Sequence, residues 1–391
     1  MSIKNHSSSF FRLQCSLMSK ICPISIPLKY TLDRIPRIAV VDLPTPREVD
    51  IDGDGEPCIS HRDAISGLIA ALLPEAEVKL YDLVRPDKPP DRSITEAFEE
   101  LFKDINSGER FDVVTASVGQ GYTIANLLAM TGLPLSLHNV GEFREQVKRT
   151  IMTIETPQYP LFFPDQEIAA IEKVISTGVP VLLSGNSSGH DTFTNSNFTT
   201  GGINVGALDA NGDYELSCST HTIIDRYTRG VYNLYPVEGG YSIFKEGPCN
   251  FSRDITSGGD PLVQEFVGKH INTVLATNAD IELYKKHADF RTQDKVDASA
   301  LSKKLFTHSQ MNEINPNYNE LCQCYPHWRS HGEYLDFEQE TYYKVDKNGY
   351  VYYDPDNSGQ IGAVSKLRGC SYATPTMAVL IAIEKCGNLL N

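Results

Sequence analysis

The chain has 391 residues, 41% of them hydrophobic and 22% charged, which is enough apolar mass for a packed core and too little charge for a disordered polymer. With 35 Lys and Arg against 50 Asp and Glu, the formal net charge of −15 repels phosphate backbones and anionic lipid heads, so no nucleic acid partner is expected. No apolar run reaches the roughly 18 residues of a membrane span; the best stretches, Leu68–Leu73 and Met377–Ile383, have the length of buried helix segments.

Residues 1–36 read as an N-terminal extension, whose short apolar stretches are interrupted by Lys20 and Pro23 and so do not make a cleavable secretory signal. From residue 37, short apolar runs alternate with helical patterns. Ile38–Val41, Val78–Tyr81, Phe111–Val114 and Val179–Leu183 read as strands of a mostly parallel sheet. Between the first two, Ala64, Ile65, Leu68, Ile69 and Leu72 recur at helical spacing behind the capping residue Ser60 and stop at Pro74. A second helix runs from Asp165 through Ile168, Ile171 and Val174 to the terminating Gly178. This alternation predicts an α/β fold in three layers, a mostly parallel central sheet with helices on both faces. The stretch from Thr222 to Tyr352 is rich in Tyr, Asn, Asp, Lys and Gly, with one helical pattern near Ile281–His287, and reads as an insertion or subdomain at about 222–352. The last helix, Ser371–Cys386, is apolar nearly all round, with Pro375 inside its first turn and Gly387 just past its end, which predicts a central, buried position.

Reactive groups in a parallel sheet collect at the carboxyl ends of strands, where Asp42 follows Ile38–Val41. His61 opens the helix that follows. Ser371 begins the last helix, where the dipole lowers the cost of negative charge at Oγ and its own N–H, in the first turn, can meet a developing oxyanion. Asn186, in Ser184-Gly185-Asn186-Ser187-Ser188-Gly189 after the fourth strand, offers an amide as a second donor. Each alone has a plainer role as a turn, cap or surface residue.

Together they carry more. Ile38-Ala39-Val40-Val41-Asp42, Ser60-His61 with Gly67 six positions on, Leu183–Gly189, and Gly369-x-Ser371-x-Ala373-Thr374-Pro375 follow one another in an order that resembles the subtilisin-like serine peptidases (subtilases). Gly201–Asp209 looks like the strand after that family's oxyanion Asn, and Asp112–Gly119 like its substrate-binding strand. The resemblance covers about residues 37–209 and 360–391 and implies a serine endopeptidase with Asp42, His61 and Ser371 as catalytic triad, Asn186 in the oxyanion hole, and Ser117, Val118 and Gly119 pairing with an extended polypeptide substrate. It departs from the family at Leu43-Pro44 after the Asp, at Arg62-Asp63 after the His, and at Cys370 before the Ser. Arg62 brings bulk and positive charge to the imidazole, and these flanks motivate a second reading, a catalytically weak or inactive subtilase-fold peptide binder. A third division of labour gives the 222–352 insertion a protein partner.

No redox or organic cofactor and no metal site is assigned. Asp50-x-Asp52-x-Asp54-Gly55 opens like a calcium loop but has His61 where a bidentate Glu is needed, and Asp354–Gly359 lacks that Glu too, so a structural calcium ion has no assignable site. Nine scattered cysteines favour a reducing compartment, with the cytoplasm expected and unconventional export left open. Intracellular members of the resembled family carry a brief N-terminal extension that blocks the groove, a role residues 1–36 would fit as a short propeptide. The expected domain then runs from 37 to 391.

Overall fold

The structure, a computed structural model, describes residues 20–42, 60–83, 94–119, 121–153, 164–187, 192–209, 221–252 and 366–390, with short stretches within 212–219 and 269–352. Strands β1 (Ile21–Cys22), β2 (Tyr30–Leu32) and β3 (Arg37–Asp42) precede helix α1 (His61–Leu72). There follow β4 (Glu77–Asp82), α2 (Ile94–Asn106), β5 (Val113–Ala116), β6 (Gly121–Thr123), α3 (Ile124–Thr131), α4 (Arg144–Ile151) and α5 (Pro164–Ser176). Next come β7 (Val181–Ser184), β8 (Thr192–Thr194), β9 (Ile203–Leu208) and β10 (Arg226–Arg229). Seven of these strands form one parallel sheet in the order β1-β10-β9-β7-β5-β3-β4.

Alternate residues of the strands serve opposite faces, as the two-residue period requires. Ile38, Val40, Val113, Leu182 and Val205 pack beneath α1 and the last helix. Ala39, Val41, Val114, Ala116, Val181 and Leu183 pack against α2 and α5. A helix layer on each side of a parallel sheet is the expected three-layer α/β architecture. A third apolar cluster joins Tyr122, Phe193 and Phe198 to α3 and α4.

Beyond β10 lie β11 (Val231–Asn233), β12 (Tyr235–Val237), β13 (Gly240–Ser242) and β14 (Phe251–Ser252), the last three forming a small antiparallel sheet. Strands β15 (Lys269–His270), β16 (Val274–Leu275), β17 (Lys304–Phe306), β18 (Glu333–Asp336), β19 (Thr341–Val345) and β20 (Tyr350–Tyr352) make a separate six-stranded sheet, and α6 (Asn278–Ala288) covers the helical pattern seen near Ile281. The chain then returns through β21 (Lys366–Arg368), which pairs with β11, to α7 (Cys370–Cys386) and β22 (Gly387–Leu389).

Several boundaries differ from those the sequence suggested. Arg226–Arg229 is a strand of the central sheet, so the additional region begins C-terminal to it rather than at 222. Residues 21–22 pair with that strand and residues 30–32 with β22, so the second half of the expected 1–36 extension is woven into the fold. The helix α7 starts at Cys370, which makes Pro375 its sixth residue and puts it in the second turn, not the first. Strands expected at Phe111–Val114 and Val179–Leu183 lie two residues and one residue further on at their C-terminal ends. At the far end of the sheet, Lys79 on β4 bonds Asp104 of α2 at 2.8 Å and Glu109 at 2.7 Å.

Candidate active site

Asp42 ends β3, with strands paired on both sides and 1% of its surface exposed. His61 is the first residue of α1, whose cap Ser60 accepts the Asp63 N–H at 3.1 Å and so fixes where the first turn begins. The His61 ring is brought to Asp42, Nδ1 to Oδ1 at 2.7 Å, with the carboxylate side chain fully buried and the imidazole 35% exposed. A carboxylate oxygen accepts, so in this bond Nδ1 is the donor.

Arg62 does not leave its charge on the imidazole. It forks onto both oxygens of Asp82 at 2.9 and 2.8 Å and bonds Asp63 at 2.9 Å. Burial opposes the guanidinium charge, but the bonds to Asp82 and Asp63 outweigh it and hold the pKa above its ordinary value.

Ser371 is the second residue of α7, half-buried, and the helix packs against α1, β5, β7 and β9. The ring of Tyr372, next to Ser371, stands 5.9 Å from the His61 ring, so the serine's turn of helix and the imidazole adjoin. Pro375 has no N–H to give the carbonyl of Ser371 four residues back. The Ser117 hydroxyl supplies that hydrogen bond at 3.0 Å, which ties the segment after β5 to Ser371 itself. Val118 and Gly119 continue from Ser117 beyond the strand's end as partly exposed backbone. Gly119 has φ +152°, and a Cβ there would come within 2.8 Å of Thr194 Cβ, so the close passage of the two segments requires glycine.

Asn186 follows β7 with φ 149°, a left-handed conformation that is rare outside glycine. Its carbonyl accepts from the Ser219 N–H at 3.2 Å and the Ser219 hydroxyl at 3.3 Å, and its Nδ2 donates to the Phe193 carbonyl at 3.0 Å. Behind this loop His221 stacks on Phe193 at 3.8 Å between ring centroids and bonds the Thr192 carbonyl at 2.9 Å; burial pushes its pKa down to about 3. Two thiols lie below the serine turn. Burial and the neighbouring Cys370 push the Cys218 thiol up.

The structure therefore joins His61 to Asp42 and Ser117 to Ser371 by hydrogen bonds, and holds Asn186 on a separately braced loop. Sequence reasoning missed Ser187, whose Oγ accepts the Cys370 N–H at 2.9 Å. It also missed Glu167 of α5, buried beside Asn195 and Tyr122, whose pKa burial raises to about 7. A charged residue on the apolar face of α5 was the available signal. Among the described residues no group of three or more His, Cys, Asp or Glu stands in a metal-binding arrangement, and both acidic loops, 50–55 and 354–359, lie outside the described residues. No described helix is long and apolar enough to cross a membrane.

No protein-family model and no curated protein sequence matches the chain. Among solved structures it resembles a lanthipeptide protease at 13% identity and TM-score 0.32, over 50% of this chain and 56% of that one. It resembles the prenylagaramide maturation protease PagA at 13% identity and TM-score 0.32, over 51% of this chain and 64% of that one. A third is the psychrophilic subtilisin-like protease Apa1 from the Antarctic psychrotroph Pseudoalteromonas sp. AS-11, at 13% identity and TM-score 0.37, over 89% of this chain and 82% of that one. The chain spans less than two thirds of the length of the first two proteases, and the likeness to all three is distant.

Proposed function

We propose that the protein is a serine endopeptidase that cleaves polypeptides through an acyl-enzyme intermediate. The observation that carries this reading is the 2.7 Å bond between His61 Nδ1 and the buried Asp42, beside the helix turn that bears Ser371. In this mechanism Ser371 Oγ attacks the scissile carbonyl while His61 Nε2 takes its proton and later returns it to the leaving amine. Asp42 keeps the hydrogen on Nδ1 and stabilises the imidazolium as it forms. The oxyanion is held by the Ser371 N–H and by the Asn186 amide, a donor of a kind worth about 3 kcal/mol of transition-state stabilisation. The substrate lies extended along Ser117–Gly119, pairing backbone to backbone. This chemistry calls on no redox or organic cofactor.

The test is covalent labelling by a fluorophosphonate probe together with turnover of a peptide substrate. Wild type is expected to label and cleave, and Ser371→Ala to do neither. Equal labelling of the two proteins rejects the assignment, and peptide binding without turnover by wild type selects the non-catalytic binder instead.

A further inference from the structure

The helix that carries Ser371 starts at a residue with no side chain of its own to cap it. Its N-cap is Gly369, which has no side-chain acceptor for the first N–H groups. The N–H groups of Tyr372 and Ala373 turn back to the Gly369 carbonyl at 3.1 and 3.2 Å. That of Cys370 leaves the helix and donates to Ser187 Oγ at 2.9 Å, across 183 residues of sequence. The same oxygen accepts a weak bond from the Cys218 thiol at 3.8 Å.

Ser187 and Cys370 are each the immediate neighbour of a proposed oxyanion donor, Asn186 on one side and Ser371 on the other. One hydrogen bond thus spans the two halves of the hole. The fit around it is close. Gly369 has φ +126°, and a Cβ at that position would come within 2.6 Å of Ser187 Oγ, so glycine is what lets the hydroxyl reach the helix. Asn186 holds a left-handed backbone that persists only where its surroundings fix it, and Ser187 is the next residue along.

We propose that Ser187 is a positioning residue for the oxyanion hole, setting the separation of Asn186 Nδ2 and the Ser371 N–H by capping the nucleophile's helix from the opposite loop. This rests on the peptidase reading above. A role confined to the transition state shows in kcat and not in KM, because the ground-state carbonyl makes weaker demands on the donors than the oxyanion does.

The experiment compares wild type, Ser187→Ala and Ser187→Thr by fluorophosphonate labelling, by kcat and KM on one peptide, and by thermal midpoint. Ser187→Ala is expected to lower kcat about tenfold with KM within about twofold, and Ser187→Thr, which keeps the hydroxyl, to recover most of the loss. An Ala variant with wild-type kcat overturns the proposal, as does a rise in KM alone. Should the Ala variant not fold, Ser187→Thr decides: kcat within about threefold of wild type supports the cap, and a folded Thr variant that loses tenfold overturns it. A wild-type chain that neither labels nor cleaves overturns the peptidase reading and this proposal with it, whereas an active wild type beside an unaffected Ala variant removes the proposal alone.

Discussion

Asp42 and His61 meet through a short contact, and in the proposed mechanism its value lies in the hydrogen it fixes on Nδ1. Asparagine in place of Asp42 keeps the size but presents an amide that favours the other tautomer, so Asp42→Asn is expected to lower kcat by about 10⁴ while leaving the thermal midpoint close to wild type. Steady-state kinetics beside a melting curve checks both halves. The candidates Asp42, His61 and Ser371 were legible because each sits in a short run of residues with a recognisable order. The fate of Arg62 was not. Its charge is matched by Asp82, twenty residues away on the neighbouring strand, and no local pattern reports a pairing set by sheet register. The bond from Ser117 to the Ser371 carbonyl was hidden in the same way, although Pro375, which withdraws the helical donor, stands in plain view in the sequence.

Among the elements, α7 is the one on which the site depends, and a buried ion pair anchors the strand leading into it. Arg368 on β21 bonds Glu215 through Nε at 2.5 Å, with both side chains almost wholly enclosed. Arg368→Met leaves the Glu215 charge buried without that cation and is expected to cost about 3–5 kcal/mol, read as a loss of thermal midpoint, while Arg368→Met with Glu215→Met recovers most of it. A single variant that melts like wild type would contradict this. Elements with a strong period were readable from the sequence: the alternating faces of β3 and the stripe of α1 agree with the observed packing. Helix α2 has a clear stripe too, with Ala97, Phe98 and Leu101 buried, and went unread behind the proline-rich run Pro86–Pro90. Helices α3 and α4 are eight residues each, too short for periodicity to outweigh the turns around them.

Across the whole molecule, two buried groups set opposite pH trends. Burial holds the Glu167 carboxyl up at about 7 from 4.5, so its contribution to stability is complete below 4.5 and is lost as pH rises through 7, at about 1.4 kcal/mol per unit. His221 is held down at about 3 from 6.5, so its contribution is complete above 6.5 and is lost as pH falls toward 3. Glu167→Gln is therefore expected to raise the thermal midpoint at pH 8 and not at pH 4.5; a gain that is equal at both pH values would refute the assignment. The layered architecture was visible from the alternation of strands and helices alone. Its outer limits were not, because β1 and β10 are two and four residues long and acquire their place only through pairing with each other and with β9. The opposite margin of the sheet has a consequence of its own. Among the described residues strand β4 is the edge of the sheet, and Leu80 there is 39% exposed, a surface that invites a second copy to add on. Lys79, held by Asp104 and Glu109, places an ammonium on that margin and makes such stacking unfavourable. Replacing it by valine is expected to produce concentration-dependent oligomers in light scattering, and a Lys79→Val protein that stays monodisperse would show that the margin is protected by something else.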